Sequence, residues 1–479
     1  MNKNISDSWE YIIGLEVHAQ ITSKSKLFSR ASTKFGSEPN NNVALFDIAS
    51  PGVLPVLNEF CVRQAVKTGI AINGTINEYS VFDRKNYFYP DLPSGYQISQ
   101  FHYPLVKEGG VEISVKNKKK IIRIISMHME QDTGKSLHDQ IPGKSCIDFN
   151  RAGTALMEIV SYPDLRSSLE AAEYIKKLRS IMRYLGTCDG NMEKGSLRCD
   201  ANVSVRKKNE ELGTRCEIKN LNSIKNIIKA IEYEAARQIK IIEQGKEIEQ
   251  ETRLFDANTG VTYTMRLKED AEDYRYFPDP DLRPLYLRQS YIDEIRKTLP
   301  ELPDDKLKRY IVEYNLTEYD ASILVMDKNV AIFFEKLVKD IDGKLAANWI
   351  ISELFYMLKK HNIDIQNSPI SPDNLSELLN LIVNKTISGK MAKRVFERMF
   401  ETKKSAFVIV KEENLVQITD EKTLLKIIDQ VITDHEKIIA GYKEGNKKLF
   451  GFLVGQIMKA THGKASPVLV NQLLKDKLS

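Results

Sequence analysis

Five segments of this chain alternate apolar residues with chemically reactive ones, and that period of two constrains the fold more than any other feature. In residues 11–21 (YIIGLEVHAQI), Ile13, Leu15 and Val17 share one parity, and Glu16 and His18 the other. In residues 121–132 (IIRIISMHMEQD), His128, Glu130 and Asp132 share a parity. In residues 153–160 (GTALMEIV), Glu158 stands against Met157 and Ile159. In residues 196–206 (SLRCDANVSVR), Leu197, Cys199 and Val203 oppose Arg198, Asp200, Asn202 and Arg206. In residues 214–220 (TRCEIKN), Arg215, Glu217 and Lys219 do the same. Side chains at i and i+2 of a strand lie on one face, about 6.5–7 Å apart. Each segment therefore aims two or three reactive groups at a common surface.

Any antiparallel sheet with one wet face alternates in this way, so one such strand carries little weight. The choice of residues carries more. Wet faces are usually Thr, Lys, Gln and Ser; these are Glu, Asp, His, Asn and Arg. Carboxylates crowded on one sheet repel one another, and a bound cation is the simplest reason to keep them there. Carboxylate oxygens with imidazole, and no thiolate cluster, suit Mg²⁺ or Mn²⁺ better than a structural zinc. Arginine and lysine beside them suit phosphate oxygens.

The alternating texture lasts to about residue 289, with frequent Gly, Pro and Asn turns. Helices are expected within it at 169–185, capped by Ser168, and at 223–245. From Ser290 the pattern becomes helical. Ser290 and Asp293 fit a capping box. Helices are expected at 304–314, 318–340, 344–360, 372–384 and 388–402, with Ser371 as a cap before Pro372. Residues 405–479 read as a last helical unit. The chain is thus α+β: a β-rich domain over 1–289, an all-α domain over 290–404 and a small all-α tail over 405–479.

Charge separates the tail from the rest. The chain carries a net +5, yet residues 437–479 alone hold eight lysines against Glu444 and Asp476. A basic segment on a nearly neutral body points equally to a contact with a phosphate backbone or to a solvated lysine face. No apolar run approaches the roughly 20 residues of a membrane span. The start, MNKNISDSWE, lacks a basic region followed by an apolar one, so no targeting peptide is expected. Five scattered cysteines without a CxxC pair point to a reducing compartment.

Familiar nucleotide motifs fail. EQDTGKS (130–136) ends like a P-loop, but the glycine required at 129 is Met129. ATP, if bound, is bound without one. Residues 84–97 (RKNYFYPDLPSGYQ) and 272–284 (EDYRYFPDPDLRP) are rich in proline, aromatics and charge. They read either as rigid packed loops or as a platform for a substrate or partner.

The strings GLEVHAQI, SKLF, PGVLPVLN, RKNYFYPDLPSGYQISQ, HMEQDTGK, DFNRAGTALMEIVSYPD, MEKGSLRCDANVSVR, RCEIKNLNS, DYRYFPDPDL and VGQIMKATHGKASPVLVN run in order from Gly14 to Asn471. Together they resemble the B subunits (GatB) of the aspartyl/glutamyl-tRNA(Asn/Gln) amidotransferases. The resemblance implies a β-rich cradle, a helical domain and a helical tail that reaches the tRNA. It implies an ATP-dependent carbon–nitrogen ligase in which the amidase, the A component, releases ammonia from glutamine and a small C component ties the complex together. The B component would phosphorylate the side-chain carboxylate of Glu-tRNA(Gln), and of Asp-tRNA(Asn) where that is a substrate, before ammonia displaces phosphate. A cytoplasmic location is implied, with ATP as substrate and Mg²⁺ as cofactor. The rival reading is a tRNA-binding scaffold whose partners do all the chemistry.

Carried over residue by residue, the metal and ATP motifs fall on Glu16, His18, Glu130, Glu158 and Asp200. Glu16, His18, Glu130 and Asp200 are the expected metal ligands. Lys135, Arg198 and Asn202 are expected on the nucleotide, with His128, Asp132 and Glu193 as neighbours. In the tail, Lys443, Lys447, Lys448, Lys459 and Lys464 are the expected tRNA contacts. The chain departs from the family at Ser29, Ala31, Ala44 and Asp47, where many members carry four zinc-binding cysteines, so zinc is not expected.

Overall fold

The computed structural model describes residues 8–478 except 117, 268–270, 416–419, 444–445 and 462–463. It divides into two compact units, residues 1–303 and 304–479.

The first unit is built on a ten-stranded sheet. The alternating segments form β1 (Trp9–Gln20), β2 (Lys118–Gln131), β3 (Ala155–Ser161), β4 (Leu197–Lys207) and β5 (Cys216–Lys219), continued by β6 (Glu251–Asp256) and β7 (Val261–Leu267). Their order across the sheet is β7-β6-β5-β4-β1-β3-β2, with short strands Gly110–Val115, Val106–Lys107 and Thr75–Ile76 beyond. Neighbours among the seven are antiparallel except β5 and β6. The longest strand pair, β1 with β4, is therefore central, and β1 is flanked on both sides.

One face of this sheet is closed by helices α1 (Glu59–Ala71), α2 (Ser168–Leu185) and α3 (Ile224–Glu243). Ile13, Leu15, Val17, Met127, Met129, Met157, Ile159, Cys199 and Val203 enter that core with Tyr174, Ile175 and Leu178 of α2 and Ile227 and Ile231 of α3. Each large side chain so buried contributes roughly 1.5–3 kcal/mol. The parity that buries these residues forces Glu16, His18, His128, Glu130 and Glu158 onto the other face.

Local sequence explains the helix ends. The side chain of Ser167 accepts from Glu170 N and caps α2, which corrects the expectation for Ser168. Ser168 is instead inside the helix, buried, and donates to Glu232. Gly186 ends α2 at φ +73°, a left-handed position that favours glycine. Ser223 caps α3 through Asn226 N.

The next helix, α4 (Gln289–Lys297), starts at Arg288 without a side-chain cap, so Ser290 and Asp293 do not form the expected capping box. Ile292 and Ile295 enter the core of the first unit. That unit therefore keeps α4 and runs to residue 303.

The second unit is helical: α5 (Pro303–Glu313), α6 (Glu318–Val325), α7 (Lys328–Leu337), α8 (Gly343–Trp349), α9 (Phe355–His361), α10 (Pro372–Val383), α11 (Gly389–Thr402), α12 (Ala406–Glu412), α13 (Glu421–Asp434), α14 (Glu436–Lys443), α15 (Lys448–Ala460) and α16 (Pro467–Leu478). The expected helix 318–340 is split, because Asp327 caps a new start through Asn329 N. A π-helical turn at Ile350–Leu354 joins α8 to α9. Ser371 caps α10 ahead of Pro372, as expected. Helix α12 packs against α10 and α11, while Leu424, Ile428, Leu453, Ile457, Val470 and Leu474 form a separate core for the last four helices. Among the described residues no helix is long and apolar enough to cross a membrane.

Candidate active site

Antiparallel register turns the wet face into rows. His128, Glu158, His18 and Arg198 stand side by side across β2, β3, β1 and β4. Val160, Glu16 and Asp200 form the next row, and Glu130, Leu156 and Gln20 the one on the other side. Gly14 pairs with Asn202, one row beyond Glu16.

Three of these side chains converge. His18 Nε2 lies 3.5 Å from Glu130 Oε1 and 3.4 Å from Glu158 Oε2. The three ligand atoms fall within 4.8 Å of one another. Ligands at about 2.1 Å around one octahedral cation sit about 3.0 Å apart, so a small closure of this group fits a divalent ion. His128 Nε2 contacts Glu158 Oε2 at 3.0 Å and Glu130 Oε2 at 3.9 Å.

The electrostatics follow from this crowding. Burial works against charge on His18, but Glu158, Glu130 and Asp200 overcome it and push its pKa up to about 9. His128 is raised because Glu158 and Glu130 likewise overcome burial. Burial and the neighbouring Glu158 push the Glu130 carboxyl above the usual range, whereas the two imidazoles hold Glu158 well below it despite burial.

Other expected residues surround the three. Asn202 Nδ2 donates to Glu16 Oε1 at 2.9 Å. Lys219 Nζ donates to Asp200 at 2.7 Å and lies 2.8 Å from Glu217. Arg198 contacts Asp132 at 3.0 Å, and Gln20 donates to the same carboxylate at 3.2 Å. Burial opposes the charge of Asp132, but Arg198 and Arg151 hold its pKa low. Lys135 and Glu193 do not converge with these. Lys135 is exposed at the start of strand Lys135–Ile141, in a separate two-stranded sheet, and Glu193 is exposed in a turn.

Lys85 was not singled out by sequence reasoning, yet it belongs here. Burial opposes its charge, but Tyr276, Glu130 and Glu158 keep its pKa above the ordinary lysine range. It stands 4.7 Å from the Tyr274 ring centroid. Strand Asp83–Asn86 pairs with Phe277–Pro278, which brings together the two aromatic stretches left open above. The available signal was Lys85 lying inside one of them; what it faces is distant in sequence.

At the positions of the four family cysteines, only Asp47 offers a metal-ligand side chain. It is buried and accepts from Lys26 Nζ and from Ala44 N, each at 2.8 Å. In the tail, Lys447 and Lys459 are exposed near opposite ends of α15, and Lys464 is half-buried beyond it. Twelve residues of helix separate the first two by about 18 Å. The side chains of Lys443 and Lys448 lie outside the described residues.

Comparison with known proteins shows the family. A family described as "GatB/GatE catalytic domain" matches residues 11–293, and one described as "GatB domain" matches 332–478. The chain is 58% identical over 472 residues to the B subunit of the aspartyl/glutamyl-tRNA(Asn/Gln) amidotransferase of Rickettsia rickettsii (strain Sheila Smith), covering 98% of each chain. It is 58% identical over 474 residues to the protein of that name from Rickettsia bellii (strain RML369-C), covering 99% of this chain and 98% of the other. With that from Rickettsia felis (strain ATCC VR-1525 / URRWXCal2) it shares 59% over 471 residues, 98% of each. The chain belongs to the GatB family of tRNA-dependent amidotransferase subunits.

Proposed function

We propose that this chain uses ATP and Mg²⁺ to activate the side-chain carboxylate of a tRNA-bound glutamate or aspartate, and that its wet sheet face is where this happens. The observation that carries the reading is the convergence of His18, Glu130 and Glu158. A glutamyl carboxylate has a pKa near 4.3 and is ionised at neutral pH, so it resists attack by ammonia. Its oxygen attacks the γ-phosphorus of ATP, the bond to the β-phosphate breaks, and ADP leaves. Ammonia then adds to the acyl carbon, phosphate departs with its bonding pair, and a proton is lost as the amide forms.

No covalent nucleophile is required of the protein. Its task is to bring an anion against a polyanion. His18, Glu130 and Glu158, with Glu16 and Asp200 beside them, would hold the cation, which would supply charge neutralisation at the phosphates. Lys85 places an ammonium beside the same carboxylates, where a substrate carboxylate needs one. Asn202 orients Glu16, and Asp132 orients Arg198. Zinc has no part in this reading, since Asp47 already binds the Lys26 ammonium. Glutamine is the ammonia source, hydrolysed by the amidase component, with the small C component completing the enzyme in the cytoplasm. Lys443, Lys447, Lys448, Lys459 and Lys464 meet the tRNA backbone.

The test reconstitutes the chain with its amidase and small partners, and with ammonium chloride in place of glutamine. ADP release is measured with and without Glu-tRNA(Gln). Release that needs the charged tRNA and is lost in Glu16→Ala places activation on this chain. Undiminished release by the variant makes Glu16 structural and favours the scaffold reading.

A further inference from the structure

Lysine is almost never fully buried unless it is paired. Lys26, in the loop that follows β1, is 0% exposed. Its Nζ donates to Asp47 Oδ2 at 2.8 Å and to Phe149 O at 3.3 Å. The Asp47 side chain is equally buried, and its Oδ2 also accepts from Ala44 N. Its other oxygen, Oδ1, has no hydrogen-bond partner among the described residues. Stability alone does not call for such a pair, since apolar residues of similar volume often serve as well. What a buried ion pair adds is direction, because it holds only when charges and hydrogen bonds meet in one geometry.

That direction is toward the turn of residues 149–154, which leads into β3. Lys26 holds the turn at Phe149 O, and Leu27 N donates to Gly153 O at 2.9 Å. Gly153 has φ +79°, and a Cβ there would stand 2.8 Å from Asp47 Oδ1, so only glycine lets the turn lie against this carboxylate. The same turn holds Asp132. Gly153 N donates to Asp132 O at 2.9 Å, Asp132 N donates to Thr154 O at 2.8 Å, and Arg151 Nε lies 3.5 Å from Asp132 Oδ2. Asp132 in turn contacts Arg198 at 3.0 Å. Asn40 and Asn42 also bond to the turn, accepting from Phe149 N and donating to Asn150 Oδ1, but at or near the surface, where water competes. The Lys26–Asp47 pair is the anchor that water does not reach.

We infer that Lys26 and Asp47 are positioning residues: their buried pair fixes the 149–154 turn, and through it the Asp132 carboxylate that aims Arg198 at the reacting groups. The inference rests on the activation reading above for what Arg198 does, and adds what holds Asp132 in place.

The test uses Lys26→Met with Asp47→Asn, which keeps both side-chain volumes and leaves no buried charge unpaired. Asp47→Asn alone is the milder second variant. Hydrogen exchange is followed in the full chain, with thermal melting as the control on folding. Amides of residues 149–154 should exchange about tenfold faster in the double variant, while those of β1 and β3 stay as in wild type. In the enzyme assembled with its partners, kcat for tRNA-dependent ADP formation should fall about tenfold in the double variant and about threefold in Asp47→Asn, the scale of a slight misplacement. In an Asp132→Ala background the same changes should cost less than about twofold, because the pair acts through Asp132. Unchanged exchange in the turn, full activity, or equal losses in both backgrounds overturns the assignment. Wild type that forms no ADP in response to Glu-tRNA(Gln) overturns the activation reading, and exchange alone then decides whether the pair fixes the turn.

Discussion

The same unit holds two dense groups of charge that behave differently. On the helix-covered side and toward the β6 edge, Glu234 of α3 lies 2.7 Å from Arg237 and 3.3 Å from Arg253, and accepts from Gln238 at 2.8 Å and Thr262 at 3.0 Å. Glu251 pairs with Arg253 and Arg237. Two arginines balance two glutamates, and Glu234 is fully buried. On the wet face, two carboxylates and two imidazoles meet mainly one another, at 3.0–3.9 Å. Crowded charge is therefore no sign of function by itself. Balanced signs with short donors make a structural joint. Ligand-type groups pressed together beside a cleft make a place for a cation.

Breaking one member of each group should separate the two roles. Glu234→Gln leaves the buried Arg253 and the half-buried Arg237 short of a partner and should destabilise the unit by about 3–5 kcal/mol, read by chemical denaturation. A loss below about 1 kcal/mol, the worth of an exposed pair, would remove the distinction. Glu158→Gln should lower tRNA-dependent ADP formation about 10²–10³-fold, the usual cost of removing one electrostatic stabiliser. Its melting temperature should fall somewhat, because His18 and His128 lose the carboxylate they pair with. A variant that is fully active but unfolds early would reverse the assignment.

Two smaller effects sharpen the contrast from outside the first unit. Alanine at Lys447 or Lys459 should each reduce the salt slope of tRNA binding by about 1, leaving ATP affinity unchanged. An unaltered slope would mean a merely solvated face. In the helical unit Glu335 is partly exposed; burial opposes its charge, but Lys306 and Arg309 hold its pKa below the usual range. A depressed folded pKa stabilises above the unfolded value and is lost as pH falls through the folded one. Wild type should therefore exceed Glu335→Gln by about 1 kcal/mol or less at pH 7, and the gap should close below about pH 4.3. A gap that widens in acid would contradict this.

The alternation made the wet face readable from the order of residues alone. Period two is local, and a buried Ile13, Leu15 and Val17 leave Glu16 and His18 no other side. What the pattern could not show was distance between segments. Lys85 comes under the charge of Glu130 and Glu158 from strand Asp83–Asn86, outside the main sheet, and Gln20 reaches Asp132, through juxtapositions that no spacing encodes. The Glu234 group was hidden because a glutamate on an amphipathic helix reads as solvated. Lys135 follows Glu130 and Asp132 in sequence, yet it stands apart from them because the chain leaves the main sheet there for a separate two-stranded sheet. Ser168 and Ser290 missed as caps because neighbouring Ser167 and Arg288 set the helix starts.

The central claim is that the tRNA-bound carboxylate itself takes the phosphoryl group on this chain. It can be followed atom by atom. Glu-tRNA(Gln) with ¹⁸O in its side-chain carboxylate would be turned over by the assembled enzyme with ATP, Mg²⁺ and ammonium, and the released phosphate analysed by mass spectrometry. Activation through an acyl phosphate transfers one ¹⁸O to each phosphate formed in wild type, and Glu158→Gln should form almost none. Phosphate that carries no label would show that ATP is split by water, and would contradict the account.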